Sequence, residues 1–327
     1  MTDVSIVLPV FNGARTLERS IISAARQSVA GIEVIVVDDG SSDESLEIAR
    51  ECEKDGLCSV LAIEHGGAGA ARNAGMEVAS GEYLTFLDAD DALVPNACEV
   101  LLRTAREYDA DIVYGHHLYV TKEGLTEPVL YLSWARAYGN GENLRLAERH
   151  ACDHPVVTGK LIRNDLIRET QLRFTNVTVA EDYEFSFRGW HRADKVVAAP
   201  RDVYLRRPFE RLPGKTDAPV TPETLADRYL VHSLVDAYCA THGLVIARET
   251  NRTIGLRQLL TMVASMGELD SRRDGLAEFC ERAEQELPHT DEQRATLGIV
   301  VHELRKMRPE DLTLARALYW SVRADLA

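Results

Sequence analysis

The sequence lacks several features that would place it in a well-defined class: closely spaced cysteine pairs, long apolar runs and an excess of basic residues. Its six cysteines among 327 residues form no C-x-x-C pair, and in a chain of this size they do not resemble a disulfide framework. We therefore interpret them as reduced thiols, most of which are small core residues. No apolar run approaches the roughly 18 residues that a membrane-spanning helix needs.

The charge is predominantly negative. Lys and Arg number 37 against 52 Asp and Glu, which gives a formal net charge of -15 and argues against nucleic-acid binding through a basic face. A nucleotide is still a compatible ligand, because a metal ion and a few arginines can neutralise its phosphates. No basic segment follows Met1, so we expect no signal peptide and a cytoplasmic protein. Peripheral association with the inner face of the membrane stays open.

What the sequence does contain is a regular alternation of strand and helix patterns. Runs dense in β-branched residues alternate with amphipathic helical patterns, and the connections between them are short. This order predicts an α/β fold with a mostly parallel sheet flanked by helices. The predicted strands fall at residues 4–10, 33–37 and 60–63, and the helices between them include 44–54.

An acidic cluster ends the next predicted strand. The apolar, aromatic run at residues 83–87 is followed by Asp88, Asp90 and Asp91, and in an open α/β sheet the carboxyl end of a strand is where ligands bind. Asp88 and Asp90 are two positions apart, so both can point the same way from an extended backbone. Two hard oxygen donors suit Mn²⁺ or Mg²⁺. A solvated acidic turn before the next helix explains the same residues equally well.

Two further features have alternative interpretations. Gly66, Gly67 and Gly69 do not form a G-x-G-x-x-G fingerprint, but a Gly-rich entry into an Ala-rich helix suits an anion or tight helix packing. Asp182 falls near the first turn of a predicted helix, where it serves either as a helix cap or as a general base.

The composition changes in the last third of the chain. Further strands are predicted at residues 111–115, 156–163 and 203–207, and a proline-rich stretch follows. We place a boundary in that stretch, which gives domains at residues 1–215 and 216–327. The second domain is predicted to be α-helical and shows no catalytic constellation. It would form an acceptor site, a lid or a homo-oligomer interface.

Six segments in this order resemble the family 2 glycosyltransferases, which adopt the Rossmann-like GT-A fold. They are VSIVLPVFN, EVIVVDDGSSD, GAARNAG, ASGEYLTFLDADD, KLIR and AEDYEFSFR. Each segment is weak evidence by itself, but six in order at suitable spacing carry the resemblance across roughly the first 210 residues.

The resemblance implies a nucleotide site at the ends of the first two strands. Pro9, Val10, Phe11 and Asn12 would contact the nucleotide, and Asp39 would accept a hydrogen bond from a ring N–H of the base, usually uracil. Many relatives carry tyrosine at the position of Phe11. Phenylalanine can still stack on a base but offers no hydroxyl.

The resemblance also assigns roles to the acidic residues. Asp90 would be the direct ligand of Mn²⁺ or Mg²⁺, and Asp88 would support the metal or the ribose, with Ala89 beside the nucleotide. Arg72 would lie near the nucleotide pocket. Asp182 matches the family's presumed general base.

The implied chemistry is inverting transfer from a nucleoside diphosphate sugar, with UDP as the expected nucleotide. A metal would neutralise the leaving phosphate, and Asp182 would take the proton of an acceptor hydroxyl. Arg206 and Arg207 could reach the diphosphate, whereas Arg211 and Lys215 are better explained as part of a solvated loop. The acceptor would be a glycan, a lipid-linked sugar or a natural product. The Q-x-x-R-W motif of processive synthases is absent.

Two alternative functions stay open. One is a sugar nucleotidyltransferase, although such enzymes usually carry a Gly-rich, basic loop after the first strand, and residues 10–13 do not form one. The other is a non-catalytic carbohydrate-binding or partner-binding protein on a transferase scaffold. The complete set of Asp39, Asp88, Asp90 and Asp182 argues against the second alternative.

Overall fold

The structure is a computed structural model, and it describes residues 2–120, 126–128, 156–206, 222–248 and 250–251. The chain divides into two compact units. The first comprises Met1–Asn176 and Glu181–Leu212, and the second comprises Val177–Ala180 and Pro213–Ala327. Within the second domain, which the sequence predicts to be α-helical, the helical patterns at residues 274–287, 291–307 and 309–326 lie outside the described residues. Arg207, Arg211 and Lys215 lie outside them too.

The first unit holds a sheet and six helices among its described residues. The strands are β1 (Val4–Val10), β2 (Ile32–Asp38), β3 (Ser59–Ala62), β4 (Tyr83–Phe86), β5 (Ala92–Leu93), β6 (Ile112–Val120), β7 (Thr126–Pro128), β8 (Lys160–Arg163) and β9 (Val196–Arg206). The helices are α1 (Leu17–Ala25), α2 (Ser45–Lys54), α3 (Ala68–Val78), α4 (Ala97–Tyr108), α5 (Asn164–Glu169) and α6 (Glu181–Arg192).

The described strands form one mixed sheet in the order β3-β2-β1-β4-β8-β6-β9-β5, with β7 paired to β6. Strands β1 to β4 run parallel, with β1 between β2 and β4. Strands β8 and β5 run antiparallel to their neighbours. The predicted α/β class is therefore confirmed, and the sheet is less uniformly parallel than the sequence pattern indicated.

The central strands are buried on both faces. Helices α1 and α3 both pack on β1, and six of the seven residues of β1 are fully buried. This explains why β1 and β2 read as nearly continuous apolar runs rather than as an alternating pattern.

Three strands differ from the predicted bounds by four or more residues. Strand β6, predicted at 111–115, continues to Val120. The strand predicted at 156–163 begins only at Lys160, because Gly159 has a φ of +66°, a conformation that interrupts an extended strand. Strand β9 begins seven residues before the predicted start at 203, although Pro200 disfavours a strand. The pairing of β9 with β6 shifts register around His116, and this irregularity accommodates the proline.

The second unit contains α7 (Pro222–His242). Val231, Val235 and Cys239 are buried at four-residue spacing along α7, which places them on one face of the helix. Asp227 accepts hydrogen bonds from the backbone N–H of Thr178 at 2.6 Å and from its hydroxyl at 2.5 Å. Among the described residues, no helix is both long enough and apolar enough to cross a membrane.

Candidate active site

The parallel strands bring three of the predicted site residues to one edge of the sheet. Asn12 follows β1, Asp39 follows β2, and Asp88 follows β4. Because β1 lies between the other two strands and all three run parallel, these residues emerge at the same carboxyl edge. In open α/β sheets this edge is where ligands bind.

The acidic segment after β4 folds into a tight turn. The backbone N–H of Asp91 donates to the carbonyl oxygen of Asp88 at 3.1 Å, as in a β-turn. The Tyr204 hydroxyl of β9 accepts a hydrogen bond from the Asp88 N–H at 3.2 Å and also bonds to the buried Asp91 side chain. Burial, together with these two carboxylates, raises the pKa of Tyr204 well above its ordinary value, so the hydroxyl keeps its proton and donates to Asp91.

Arg72 joins three carboxylates from two other parts of the chain. It is 5% exposed on α3, and its guanidinium donates to Asp88 at 2.9 Å, to Glu181 at 3.0 Å and to Asp182 at 3.2 Å. Burial alone would lower the pKa of Arg72, but the three surrounding carboxylates more than offset this effect and raise the pKa above its ordinary value. The guanidinium therefore stays charged. Arg72 thus ties the turn after β4 to the first turn of α6.

Asp182 has the properties of a general base. Burial raises the pKa of its carboxyl group to about 6, and Glu181 and Asp88 raise it as well, whereas Arg72 and Lys160 lower it. Its side chain remains 24% exposed, so a hydroxyl group in solution can reach it. A carboxylate whose pKa lies close to neutral pH is a more effective proton acceptor than an ordinary aspartate.

Lys160 is a residue of this region that the sequence reasoning missed. It is buried on β8, its ammonium donates to the Ser186 hydroxyl at 3.0 Å, and it lies 4.6 Å from the centre of the Tyr114 ring. Burial lowers the pKa of Lys160 to about 7, and Asp182 opposes this shift. The sequence signal was a single basic residue within an apolar strand pattern, in the KLIR segment.

Asp39 is bound by the Gly-rich loop that precedes α3. Its side chain is 3% exposed, and its two oxygens accept hydrogen bonds from the backbone N–H groups of Gly66 at 2.8 Å and Gly67 at 2.9 Å. The anion that the Gly-rich entry into this helix attracts is therefore a carboxylate of the protein itself.

Asn12 holds the loops after β1 and β2 together. Its φ is +51°, a backbone conformation that asparagine tolerates better than most residues. Its side-chain oxygen accepts a hydrogen bond from the Ser42 N–H at 2.8 Å, and its own N–H donates to the Ser41 hydroxyl at 3.0 Å.

The remaining predicted residues differ in what they can offer a ligand. Phe11 is 49% exposed, whereas the Val10 side chain is buried in the core, so Val10 can contribute only backbone atoms at this edge. Pro9 and Ala89 are partly exposed, as is Arg206 at the end of β9.

A metal site at the turn after β4 fits the chemistry of its side chains. Asp88 is 37% exposed, and Asp90 is partly exposed beside it. Across the described part of the chain, no group of three or more His, Cys, Asp or Glu side chains is arranged around a common metal position. Mg²⁺ in substrate-phosphate sites is typically held by one or two carboxylates together with phosphate and water oxygens, so two carboxylates meet that requirement.

Comparisons with known proteins agree with this geometry. A family model described as Glycosyl transferase family 2 matches residues 5–170. Glycosyltransferase GlyG of Streptococcus pneumoniae serotype 4 is 31% identical over 224 residues, which cover 62% of this chain and 70% of GlyG. Glycosyltransferase GlyA of the same organism is 31% identical over 215 residues, and the match spans only 30% of GlyA.

The fold is similar to that of residues 1–349 of S. aureus TarS, whose crystal structure in complex with UDP-GlcNAc superimposes with a TM-score of 0.66. The likeness covers 99% of this chain and 92% of that TarS chain at 20% identity. The fold and the matched segment together define a glycosyltransferase of the GT-A type. More specifically, the chain belongs to glycosyl transferase family 2.

Proposed function

We propose that this protein transfers a sugar from a UDP-linked donor to an acceptor hydroxyl, with inversion at the anomeric carbon. The observation that carries the proposal is the Arg72 bridge, which donates to Asp88 at 2.9 Å and to Asp182 at 3.2 Å. One guanidinium therefore binds both Asp88, which we propose lies on the donor side, and Asp182, which we propose removes the proton.

In the proposed reaction, Asp182 accepts the proton of the acceptor hydroxyl. The hydroxyl oxygen forms a bond to the anomeric carbon while the bond from that carbon to the diphosphate oxygen breaks, and UDP leaves with the electron pair. One displacement of this kind inverts the configuration. The raised pKa of Asp182 supports its role as the base, because proton transfer is most effective when the pKa of the base is near the operating pH.

Asp88 and Asp90 would hold the Mn²⁺ or Mg²⁺ ion. When bound, such an ion stabilises negative charge on the leaving diphosphate as a Lewis acid. Phe11 offers a half-exposed ring on which a nucleobase could stack. The UDP-GlcNAc complex of TarS supports UDP as the nucleotide. We propose a glycan, a lipid-linked sugar or a natural product as the acceptor.

Asp182→Asn tests this proposal directly. The substitution removes the proton acceptor but keeps the shape of the side chain, so we expect transfer to fall by about 10²- to 10⁴-fold, the contribution typical of a general base. We expect UDP affinity, measured by calorimetry with Mn²⁺ present, to stay within about threefold of wild type, because the change does not alter Asp39 or Phe11.

Glu181→Gln is the matched control. It also removes one carboxylate from Arg72 in the same helical turn, but it leaves the base in place, so transfer should fall by less than about tenfold. Near-normal transfer by Asp182→Asn, or equal losses in the two variants, would remove Asp182 from the role of base.

A further inference from the structure

The imidazole of His65 occupies a position that the proposed mechanism does not explain. It stacks on the ring of Phe11, with ring centres 4.2 Å apart and an interplanar angle of 24°. Its Nδ1 lies 2.9 Å from a carboxylate oxygen of Asp39 and 3.1 Å from the carbonyl oxygen of the same residue. Both of these neighbours are acceptors, so Nδ1 carries a proton and donates it.

His65 completes the enclosure of the Asp39 carboxylate. The oxygen that lies 2.9 Å from His65 Nδ1 accepts a hydrogen bond from the Gly67 N–H, and the other oxygen accepts one from the Gly66 N–H. The side chain of Asp39 is consequently 3% exposed. No external group can donate to this carboxylate unless one of its present partners moves.

Of these three partners, His65 is the one that can move without unfolding. The two glycines contribute backbone groups at the entry to α3, and Gly67 has a φ of +88° as the residue before the helix. The His65 side chain, by contrast, is 57% exposed, and an exposed side chain can change rotamer on a picosecond-to-nanosecond timescale.

The contacts of His65 are those of a bound heteroaromatic ring. One face lies on an aromatic side chain, and a ring nitrogen lies 2.9 Å from an oxygen of a buried carboxylate. A nucleobase that carries a ring N–H, such as uracil, can make both contacts with the same two residues. Cytosine has an acceptor at the corresponding ring nitrogen, so it can donate to Asp39 only through its exocyclic amino group, from a shifted position.

We propose that His65 occupies the nucleobase subsite in the free protein, that the base of the donor displaces it, and that this exchange contributes to selectivity for a base with a ring N–H. This inference rests on the proposed function, because it takes Phe11 and Asp39 to be the nucleobase subsite. When His65 occupies the subsite in some of the molecules, the apparent affinity is the intrinsic affinity multiplied by the fraction of molecules in which the subsite is open.

Calorimetric titration of wild type and His65→Ala with UDP and with CDP, both in the presence of Mn²⁺, tests the proposal. If His65 blocks the subsite in most molecules, its removal should tighten UDP binding by about five- to tenfold. The gain for CDP should be smaller, because the ring nitrogen of cytosine cannot donate to the Asp39 carboxylate that the substitution uncovers. Phe11→Ala should weaken both nucleotides.

His242→Ala is the matched control. His242, in the second unit, stacks on Tyr238 with ring centres 4.0 Å apart and an interplanar angle of 24°. The His242→Ala variant therefore also loses a stacked, exposed imidazole. We expect its UDP affinity to equal that of wild type.

A second measurement follows the ring itself. In a ¹H–¹³C spectrum, the signal that disappears in His65→Ala identifies the His65 ring, and UDP should move it away from the shift that stacking on Phe11 produces. Unchanged or weaker UDP binding by His65→Ala, in a protein whose wild type binds UDP, would overturn the role of His65 alone. Failure of wild type and His65→Ala alike to bind any nucleotide would overturn the proposed function and this inference with it.

Discussion

Asp182 combines two opposing influences at the level of a single residue. Burial and two neighbouring carboxylates make its carboxyl group harder to ionise. Arg72 lowers its pKa by forming an ion pair with the ionised form. The balance leaves a carboxylate that is oriented by a fixed cation and is more basic than an aspartate in water. These are the properties expected of a general base.

The pH dependence of transfer follows from this balance. Asp182 must be unprotonated to accept a proton, and its pKa is raised to about 6, so kcat/KM should rise with pH through that region and then level off. An ordinary aspartate would reach its plateau roughly two pH units lower. Initial rates between pH 4.5 and 8, at constant ionic strength, measure the profile.

The same titration affects stability in the opposite direction. Because the folded state has the higher pKa, it binds the proton more tightly than the unfolded state does, so Asp182 favours folding at low pH and loses that contribution as the pH rises through about 6. The rate therefore increases over a range in which this residue's contribution to stability falls. A rate that is flat from pH 4.5 upward would contradict the raised pKa.

Individual site residues were predictable to the extent that their role depends on position in a motif. The spacing of Asp88 and Asp90 after a strand, and Asp182 at a helix start, indicated carboxylates at ligand-binding positions. The sequence did not indicate His65, because its contact with Phe11 joins residues 54 positions apart and depends on how the loop before α3 folds. Lys160 was missed for the same reason, since its partner Ser186 lies on α6.

At the level of elements, Arg72 holds together α3, the turn after β4 and the start of α6. Helix α3 carries the guanidinium. The turn after β4 brings one carboxylate to it, and the start of α6 brings two. Because the charges are partly desolvated, removing the cation would leave three acids close together without compensation. This makes the bridge a structural requirement of the site as well as part of its chemistry.

Arg72→Met should therefore lower the free energy of unfolding by roughly 3 kcal/mol, the scale expected when one partner of a buried ion pair is removed. It should also abolish transfer, because Asp182 loses its orientation. Urea unfolding followed by circular dichroism measures the loss of stability.

Arg106→Met provides the comparison. Arg106 also pairs with two carboxylates, Asp3 and Glu82, but it is about half exposed, so its loss should cost less than about 1 kcal/mol. Equal destabilisation by the two substitutions would show that burial does not distinguish the Arg72 bridge.

The elements themselves were predicted unevenly. The parallel strands β1 to β4 and helices α1 to α4 follow from apolar periodicity and turn residues, because each is a continuous local segment and the segments follow one another in order. The two-residue strand β5 and the early part of β9 were missed, since β5 has too few residues to show a period and β9 contains Pro200. Their pairing depends on distant parts of the chain.

For the molecule as a whole, the family match covers residues 5–170, which include Asp39, Arg72, Asp88 and Asp90 but not Asp182. The proposal that Asp182 is the base therefore depends on the AEDYEFSFR resemblance and on its ion pair with Arg72, not on the matched segment. The α/β class and the edge that carries the site were predictable, because strand order fixes them. The antiparallel strand β8 was not, since its position depends on a long connection after β6.

The account depends most on one claim, that the edge formed by β1, β2 and β4 binds a nucleoside diphosphate sugar. A thermal-shift panel of UDP, CDP, GDP and several UDP-sugars, each with and without Mn²⁺, tests it on wild type and Asp182→Asn. A ligand at 100 times its Kd adds about 2.7 kcal/mol to the stability of the folded state, which corresponds to a rise of roughly 5 °C or more. We predict such a rise for UDP and at least one UDP-sugar, greater with Mn²⁺ and equal in the two proteins. No rise with any nucleotide in the presence of Mn²⁺ would contradict the account.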